Sequence, residues 1–264
     1  MVFGIMPAGA CKPAGSGMIM KKIHAISPAD LELLKKYDTP TVCNVVELFD
    51  RCSRTAFYMD KRIRACFPKL PPMVGYASTA TFRSAFPPAS GNVYAGLDQQ
   101  VAAFAELPGP PVVVFQDLDS PVMAATFGEV MCTTYKAFGA VGLITSGAAR
   151  DLDQVEAMSF PCFADGAICA HGYCHILHIH VPVHVGGVQV SPGDILHGDR
   201  NGVTTIPNEV ASEVAHACAE LVAAEQIVLD YLKSASINPK GYGEARKECK
   251  NRIDALAKRL KGSA

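Results

Sequence analysis

Between residues 112 and 164 the chain alternates short apolar runs with amphipathic stretches, and this alternation is the tightest constraint on its fold. Residues 112–115, 141–145 and a run near 162–164 are apolar and too short for helices. They read as strands buried on both faces. Residues 128–138 and 151–158, which lie between them, have helical spacing. Strand, helix, strand, helix, strand predicts parallel βαβ units and an α/β fold class. Such a sheet puts its loop-to-helix junctions at one edge, where helix N-termini turn free N–H groups toward a crevice.

Upstream, Ser27 followed by Pro28 and Asp30 is a helix start, with Ser27 as N-cap and Pro28 in the first turn. A second helix is expected over 41–51, a strand over 74–83 and a helical stretch over 92–106. Downstream, 180–190 alternates like one antiparallel strand and Gly186-Gly187 reads as a turn. A turn at 192–194, short strands at 195–196 and 202–206, and a long helix over 207–232 follow. The tail from 240 to 261 carries 8 Lys/Arg against Glu244, Glu248 and Asp254, and reads as an exposed or partner-packing helix.

Composition narrows the class. With 264 residues, 49% hydrophobic residues and a net charge of −1, the chain can bury a large core and is not intrinsically disordered. The near-neutral charge argues against nucleic acid as a partner. No stretch approaches the ~20 apolar residues of a membrane span, so no membrane is expected. Residues 1–20 read as a loosely ordered leader, because Lys21 and Lys22 follow its apolar part instead of preceding it. The expected division is this leader, a catalytic domain over 21–235 and a basic tail over 236–264. Of 10 cysteines, Cys43, Cys66, Cys132, Cys162 and Cys218 lie in apolar runs and no CxxC pair occurs. Reduced thiols and a cytoplasmic location are therefore expected.

Two junctions hold the residues best suited to chemistry. Gly128-Glu129-Val130-Met131 opens one helix, and Arg150-Asp151 opens the next after 20 intervening residues. One helix plus one strand of that length returns both to the same sheet edge. Arg150 can grip a carboxylate or carbonyl oxygen with a forked hydrogen bond. Asp151 can hold a hard divalent cation, Glu129 can move a proton, and the amides from Gly128 to Met131 can take a second anionic oxygen. Such a site suits small oxo-acids. Spacing alone leaves a second reading open, a structural ion pair closing a helix N-terminus.

These residues, with their surroundings, resemble the RraA-like family, which includes class II pyruvate aldolases acting on 4-hydroxy-4-methyl-2-oxoglutarate. The likeness covers residues 24–232. It rests on the Gly128-Glu129 and Gly147-Ala148-Ala149-Arg150-Asp151 segments, with flanking matches at 38–44, 75–80, 160–164, 181–188, 192–195 and 199–207. The resemblance implies a compact α/β/α sandwich with swivelling β elements, and a homotrimer or homohexamer with sites between protomers. It implies a lyase that cleaves a 4-hydroxy-2-oxo acid to pyruvate through an enolate, with Mg²⁺ or Mn²⁺ as cofactor and oxaloacetate decarboxylation as a side activity. Arg150 then matches the substrate-binding arginine, Asp151 the metal ligand, and Gly128, Glu129, Val130 and Met131 the substrate-binding loop. Glu129 also matches the acid of proton transfer, and Glu225 is a candidate acid for a neighbour's site. Glu129 stands where the studied aldolases carry Asp, and Gln154 where an acid often follows. The family's other implied role is a non-catalytic, protein-binding regulator of RNA processing.

The remaining motifs are less specific. Five of the eight histidines, His171, His175, His178, His180 and His184, crowd one segment with Cys169 and Cys174. They lack standard zinc spacing, but as one strand would put His178, His180 and His184 on one face; the alternative is a surface strand or loop whose histidines bond locally or line the mouth of the oxo-acid site. Asp117 and Asp119 read as strand-end caps or as support for a cation. Ser84 and Ser146 have no evident His-Asp partner.

Overall fold

The computed structural model describes residues 24–51, 53–89 and 96–262; the expected leader lies outside them. Helix α1, Pro28–Leu34, starts as anticipated, with the Ser27 hydroxyl accepting from the Asp30 amide. Asp38 starts α2, Thr39–Leu48, by accepting from the Thr41 amide.

The main sheet has eight strands. The first two are β1, Arg64–Ala65, and β2, Met73–Arg83. After α3, Leu97–Ala103, comes β3, Pro111–Asp117. A separate short strand, β4, Ala125–Phe127, leads into α4, Glu129–Ala137. Then come β5, Gly142–Thr145, the two-residue β6, Ala148–Ala149, α5, Leu152–Ala157, and β7, Cys162–Ala164. Strands β2, β3, β5 and β7 run parallel side by side, which is the predicted βαβ core. Residues 73–82 of β2 are buried throughout. Their alternation marks two covered faces rather than one wet and one dry, because β2 sits in the middle of the sheet.

The C-terminal strands are antiparallel. β8, His175–Ile179, pairs with β2, and β11, Ile195–Asp199, pairs with β2 and with β12, Gly202–Ile206. The strand expected over 180–190 is instead a hairpin, β9, Val183–Val185, and β10, Val188–Val190. The chain reverses at Gly186 and Gly187, with φ of +58° and +79°. Those angles cost a glycine little and set a tight two-residue turn.

Period-two alternation assigns the two faces of the sheet. Tyr76 and Ala80 of β2 and Val113 and Phe115 of β3 face helices, α1, α2 and α6 toward one end and α4 and α5 toward the other. Ala77, Val112, Val114 and Ile144 face the opposite way and pack on valines of the β9–β10 hairpin. Helix α6, Ala211–Leu232, and α7, Pro239–Gly262, close the first helical face. The basic tail thus forms α7 and packs on its own chain. Leu256 and Leu260 are buried with Val214 and Cys218, and Arg259 pairs with Glu220. Cys132, Cys162 and Cys218 are buried free thiols.

Candidate active site

Strands β4 and β6 pair in parallel beyond the carboxyl ends of β3 and β5. The Arg150 amide donates to the Phe127 carbonyl at 3.1 Å. The two chain crossings therefore meet at one rim, with Gly128 against Arg150 and Asp151. A Cβ at Gly128 would lie 2.5 Å from Asp151 Oδ2 and 3.0 Å from Arg150 Nε, so the close approach needs glycine there.

Asp151 sits at φ +54°, a left-handed conformation that aspartate tolerates better than most residues. That angle turns its carboxylate away from its own helix and toward α4. Asp151 Oδ2 accepts from the Glu129 amide at 3.0 Å and lies 3.8 Å from Arg150 Nε. Oδ1 takes neither contact. The Arg150 and Asp151 side chains are 30% and 32% exposed, so the pair is reachable from solvent.

Arg150 divides two hollows. One, about 320 Å³, is walled by Leu97, Ala125, Phe127, Val130, Met131 and Cys174, with Thr126, His171 and Arg150 as its polar members. The other, about 520 Å³ and more open, holds Asp151, Asp153 and Gln154 beside Arg150. The first is lined mostly by carbon, hence a dry hollow, and is half open; the second is acidic and more open.

Beneath the rim, Asp119 anchors the turn after β2. Its Oδ2 accepts from the Ser84 and Ala85 amides, and Arg83 pairs with its Oδ1. It is the structural cap foreseen for this pair. Asp117 differs. Its Oδ1 accepts from the Asp119 amide, while Oδ2 is buried with no hydrogen-bond partner among the described residues. Burial pushes its carboxyl up to about 6.

Each singled-out residue now has a place. Gly128, Arg150, Asp151 and the Glu129 backbone come together, and Val130 and Met131 join Arg150 on the dry hollow. The Glu129 amide is taken by Asp151, which leaves those of Val130 and Met131 for a ligand. The Glu129 side chain is exposed and lines neither hollow. Glu225 lies on α6 near Cys249 of α7, away from Arg150 in its own chain. The histidine segment does not form one face. His180, at φ +52°, ends β8 and bonds Ser78 and Glu106, while His178 bonds Thr81. No group of three His, Cys, Asp or Glu suited to a metal occurs among the described residues. No helix among them is long and apolar enough to cross a membrane. His171 lies at the hollow, one of the places foreseen for the histidine segment, whereas Leu97, Thr126 and Cys174 were not foreseen there. Ala125 and Phe127, two apolar residues flanking Thr126 just before Gly128, were the available signal for its wall.

The family model described as RraA-like, Aldolase/RraA, matches residues 39–205. A Halalkalibacterium halodurans protein named "Putative 4-hydroxy-4-methyl-2-oxoglutarate aldolase" is 36% identical over 107 residues, which is 40% of this chain and 50% of that protein. The chain thus spans half or less of the length of the curated relatives it matches. An uncharacterised protein from Pseudomonas syringae has the same fold, with a TM-score of 0.68 at 20% identity, covering 87% of this chain and 98% of that one. So does Streptomyces coelicolor RraAS2, described as an unusual member of the RNase ES inhibitor RraA family, with a TM-score of 0.59 at 21% identity over 76% and 96% of the two chains.

Proposed function

The chain belongs to the RraA-like family, and on that premise we propose that it is a divalent-metal-dependent carbon–carbon lyase that releases pyruvate from a 4-hydroxy-2-oxo acid. The observation that carries the reading is the placement of Arg150 and Asp151. They share one rim and are partly exposed, and Asp151 keeps an oxygen unused among the described residues.

A single carboxylate beside an open, acidic hollow fits Mg²⁺ or Mn²⁺, which bind few protein oxygens and keep much of their water. Asp151 would hold the cation, which would supply positive charge to stabilise developing negative charge on the substrate. Arg150 grips the substrate carboxylate through its free guanidinium nitrogens. The first-turn amides of Val130 and Met131 add two donors at the positive end of α4. The exposed Glu129 carboxylate, working through water, carries the proton from the 4-hydroxyl. Homotrimers or homohexamers, with Glu225 reaching a neighbour's site, belong to the same proposal.

The 36% identity to a protein named as an aldolase supports the reaction class. The test is pyruvate release from a panel of 4-hydroxy-2-oxo acids and oxaloacetate, with Mg²⁺, with Mn²⁺ and with chelator. Metal-dependent release is expected, and Arg150→Ala should lower it at least about 10³-fold, the scale of removing a main transition-state charge. Release that survives chelation or Arg150→Ala overturns the proposal. No release from any compound turns the reading to a contact-based regulator.

A further inference from the structure

The dry hollow bears on which oxo-acid fits. Its walls are mostly aliphatic and aromatic carbon, with Thr126 and His171 as polar members, it is half open to solvent, and Arg150 stands at its edge. The hollow on the other side presents Asp151 and Asp153. Among the described residues lining either one, Arg150 is the single Lys or Arg.

Resting on the lyase reading, Arg150 takes the carboxylate at C1 of the substrate. The far end of the molecule then has two places to go. A second carboxylate placed in the dry hollow would lose water against mostly carbon walls, with Arg150 and the Val130 and Met131 amides already engaged at C1 and only Thr126 and His171 as further polar side chains. Placed in the acidic hollow, it would meet Asp151 and Asp153, with only the cation that Asp151 would hold to offset them. Neither place suits a dicarboxylate such as the one in the relative's name. An uncharged carbon group, in contrast, is stabilised by Phe127, Val130 and Met131.

We propose that the substrates of this chain are 4-hydroxy-2-oxo monoacids with an apolar alkyl or aryl group on C4, which fills the hollow between β4, α3 and α4. The reaction is R–CH(OH)–CH₂–CO–COO⁻ giving R–CHO and CH₃–CO–COO⁻. The hydroxyl loses its proton, and the C3–C4 bond breaks. Its electron pair passes to C3 as the enolate, and C3 takes a proton. Nothing is oxidised or reduced. The hollow, roughly the volume of ten water molecules at liquid density, suits one ring or a short branched chain.

Two measurements test this on the full chain with Mg²⁺. The first compares kcat/KM for 4-hydroxy-2-oxo-4-phenylbutanoate and 4-hydroxy-4-methyl-2-oxoglutarate. The phenyl compound should lead at least tenfold. Val130→Arg, an exposed change at the hollow's mouth, should move the ratio at least tenfold toward the dicarboxylate. The second needs no turnover: calorimetric titration with 4-methyl-2-oxopentanoate and with 2-oxoglutarate. The monoacid should bind at least tenfold tighter, and Arg150→Ala should abolish that binding. Equal or tighter binding of 2-oxoglutarate, or binding of neither, overturns the inference, as does a dicarboxylate lead in kcat/KM. Tight monoacid binding without pyruvate release upholds the hollow's assignment and defeats the lyase reading alone.

Discussion

Two aspartates at distant corners of the molecule do the same local job with opposite consequences. Asp199, at the end of β11, accepts the Thr39 amide and so holds the N-terminus of α2. Asp151, before α5, accepts the Glu129 amide and so holds the N-terminus of α4. The two environments differ in what is left over. Asp199 is buried and spends both oxygens, because Asn201 donates its backbone N–H to Oδ1 and its side-chain N–H to Oδ2. Asp151 is a third exposed and spends one. A carboxylate with both oxygens engaged inside the fold is a fastener. One with an oxygen to spare, beside a guanidinium and a hollow, can also take a ligand.

Asparagine at each position separates the two cases. In Asp199→Asn the new NH₂ group must face one of the donors that the carboxylate accepted, which costs about 2 kcal/mol in a buried site. The melting temperature should fall by about 6 °C, while kcat/KM stays within about threefold. In Asp151→Asn the amide oxygen can turn to the Glu129 N–H, so melting should shift by less than about 2 °C, within the range of neutral surface changes. Activity should nonetheless fall at least about 10³-fold through loss of the cation ligand. Calorimetric melts and pyruvate assays on both variants check the contrast. An Asp151→Asn enzyme that melts much earlier and still turns over would make Asp151 a fastener too.

The difference between these aspartates was only partly legible in the sequence. The 20-residue spacing and the strand–helix alternation sufficed to predict that Glu129, Arg150 and Asp151 approach one another, since a βαβ path has few geometries. The same spacing was silent on which atoms of Glu129 matter. The positive φ at Asp151 decides that, by swinging its carboxylate to the Glu129 backbone. The dry hollow was hidden for a related reason. Its walls come from α3, β4, α4 and the segment around Cys174, and no local pattern announces a surface assembled from four places. Residues 180–190 misled as a single strand because the alternation continues through the Gly186-Gly187 turn, whose two glycines were the better signal.

The Asp199 corner has a titrating neighbour that sharpens the contrast through pH. His197 is fully buried, with Nδ1 beside the Thr39 hydroxyl and Nε2 beside the Leu34 carbonyl. Burial holds its imidazole below the ordinary value of 6.5. The folded chain thus binds fewer protons at this residue than the unfolded chain. Stability is unaffected well above pH 6.5 and declines as pH falls through 6.5 toward the lower folded value. Melting temperatures taken from pH 7.5 to 5 should drop, and His197→Gln should flatten that drop. The decline should be the same in Asp151→Asn, whose rim is remote from this corner. An unchanged slope in His197→Gln would assign the acid sensitivity elsewhere.

Asp117 is the intermediate case, half-buried, with a buried Oδ2 that has no hydrogen-bond partner among the described residues. Burial raises its carboxyl to about 6 from its ordinary 3.8. The sign is opposite to that of His197. Between pH 4 and 6 the folded state keeps a proton that the unfolded state has lost, so this group's contribution falls as pH rises and is most unfavourable above 6. Asp117→Asn keeps the oxygen that accepts from the Asp119 amide and removes the charge. It should raise the melting temperature by about 3 °C at pH 7.5 and leave it unchanged at pH 3, where the aspartate is already neutral when folded. Equal melting at both pH values would mean that Oδ2 is paired in solution. Asp117 would then join Asp199 among the fasteners, and a spare oxygen would no longer set Asp151 and Asp117 apart from it.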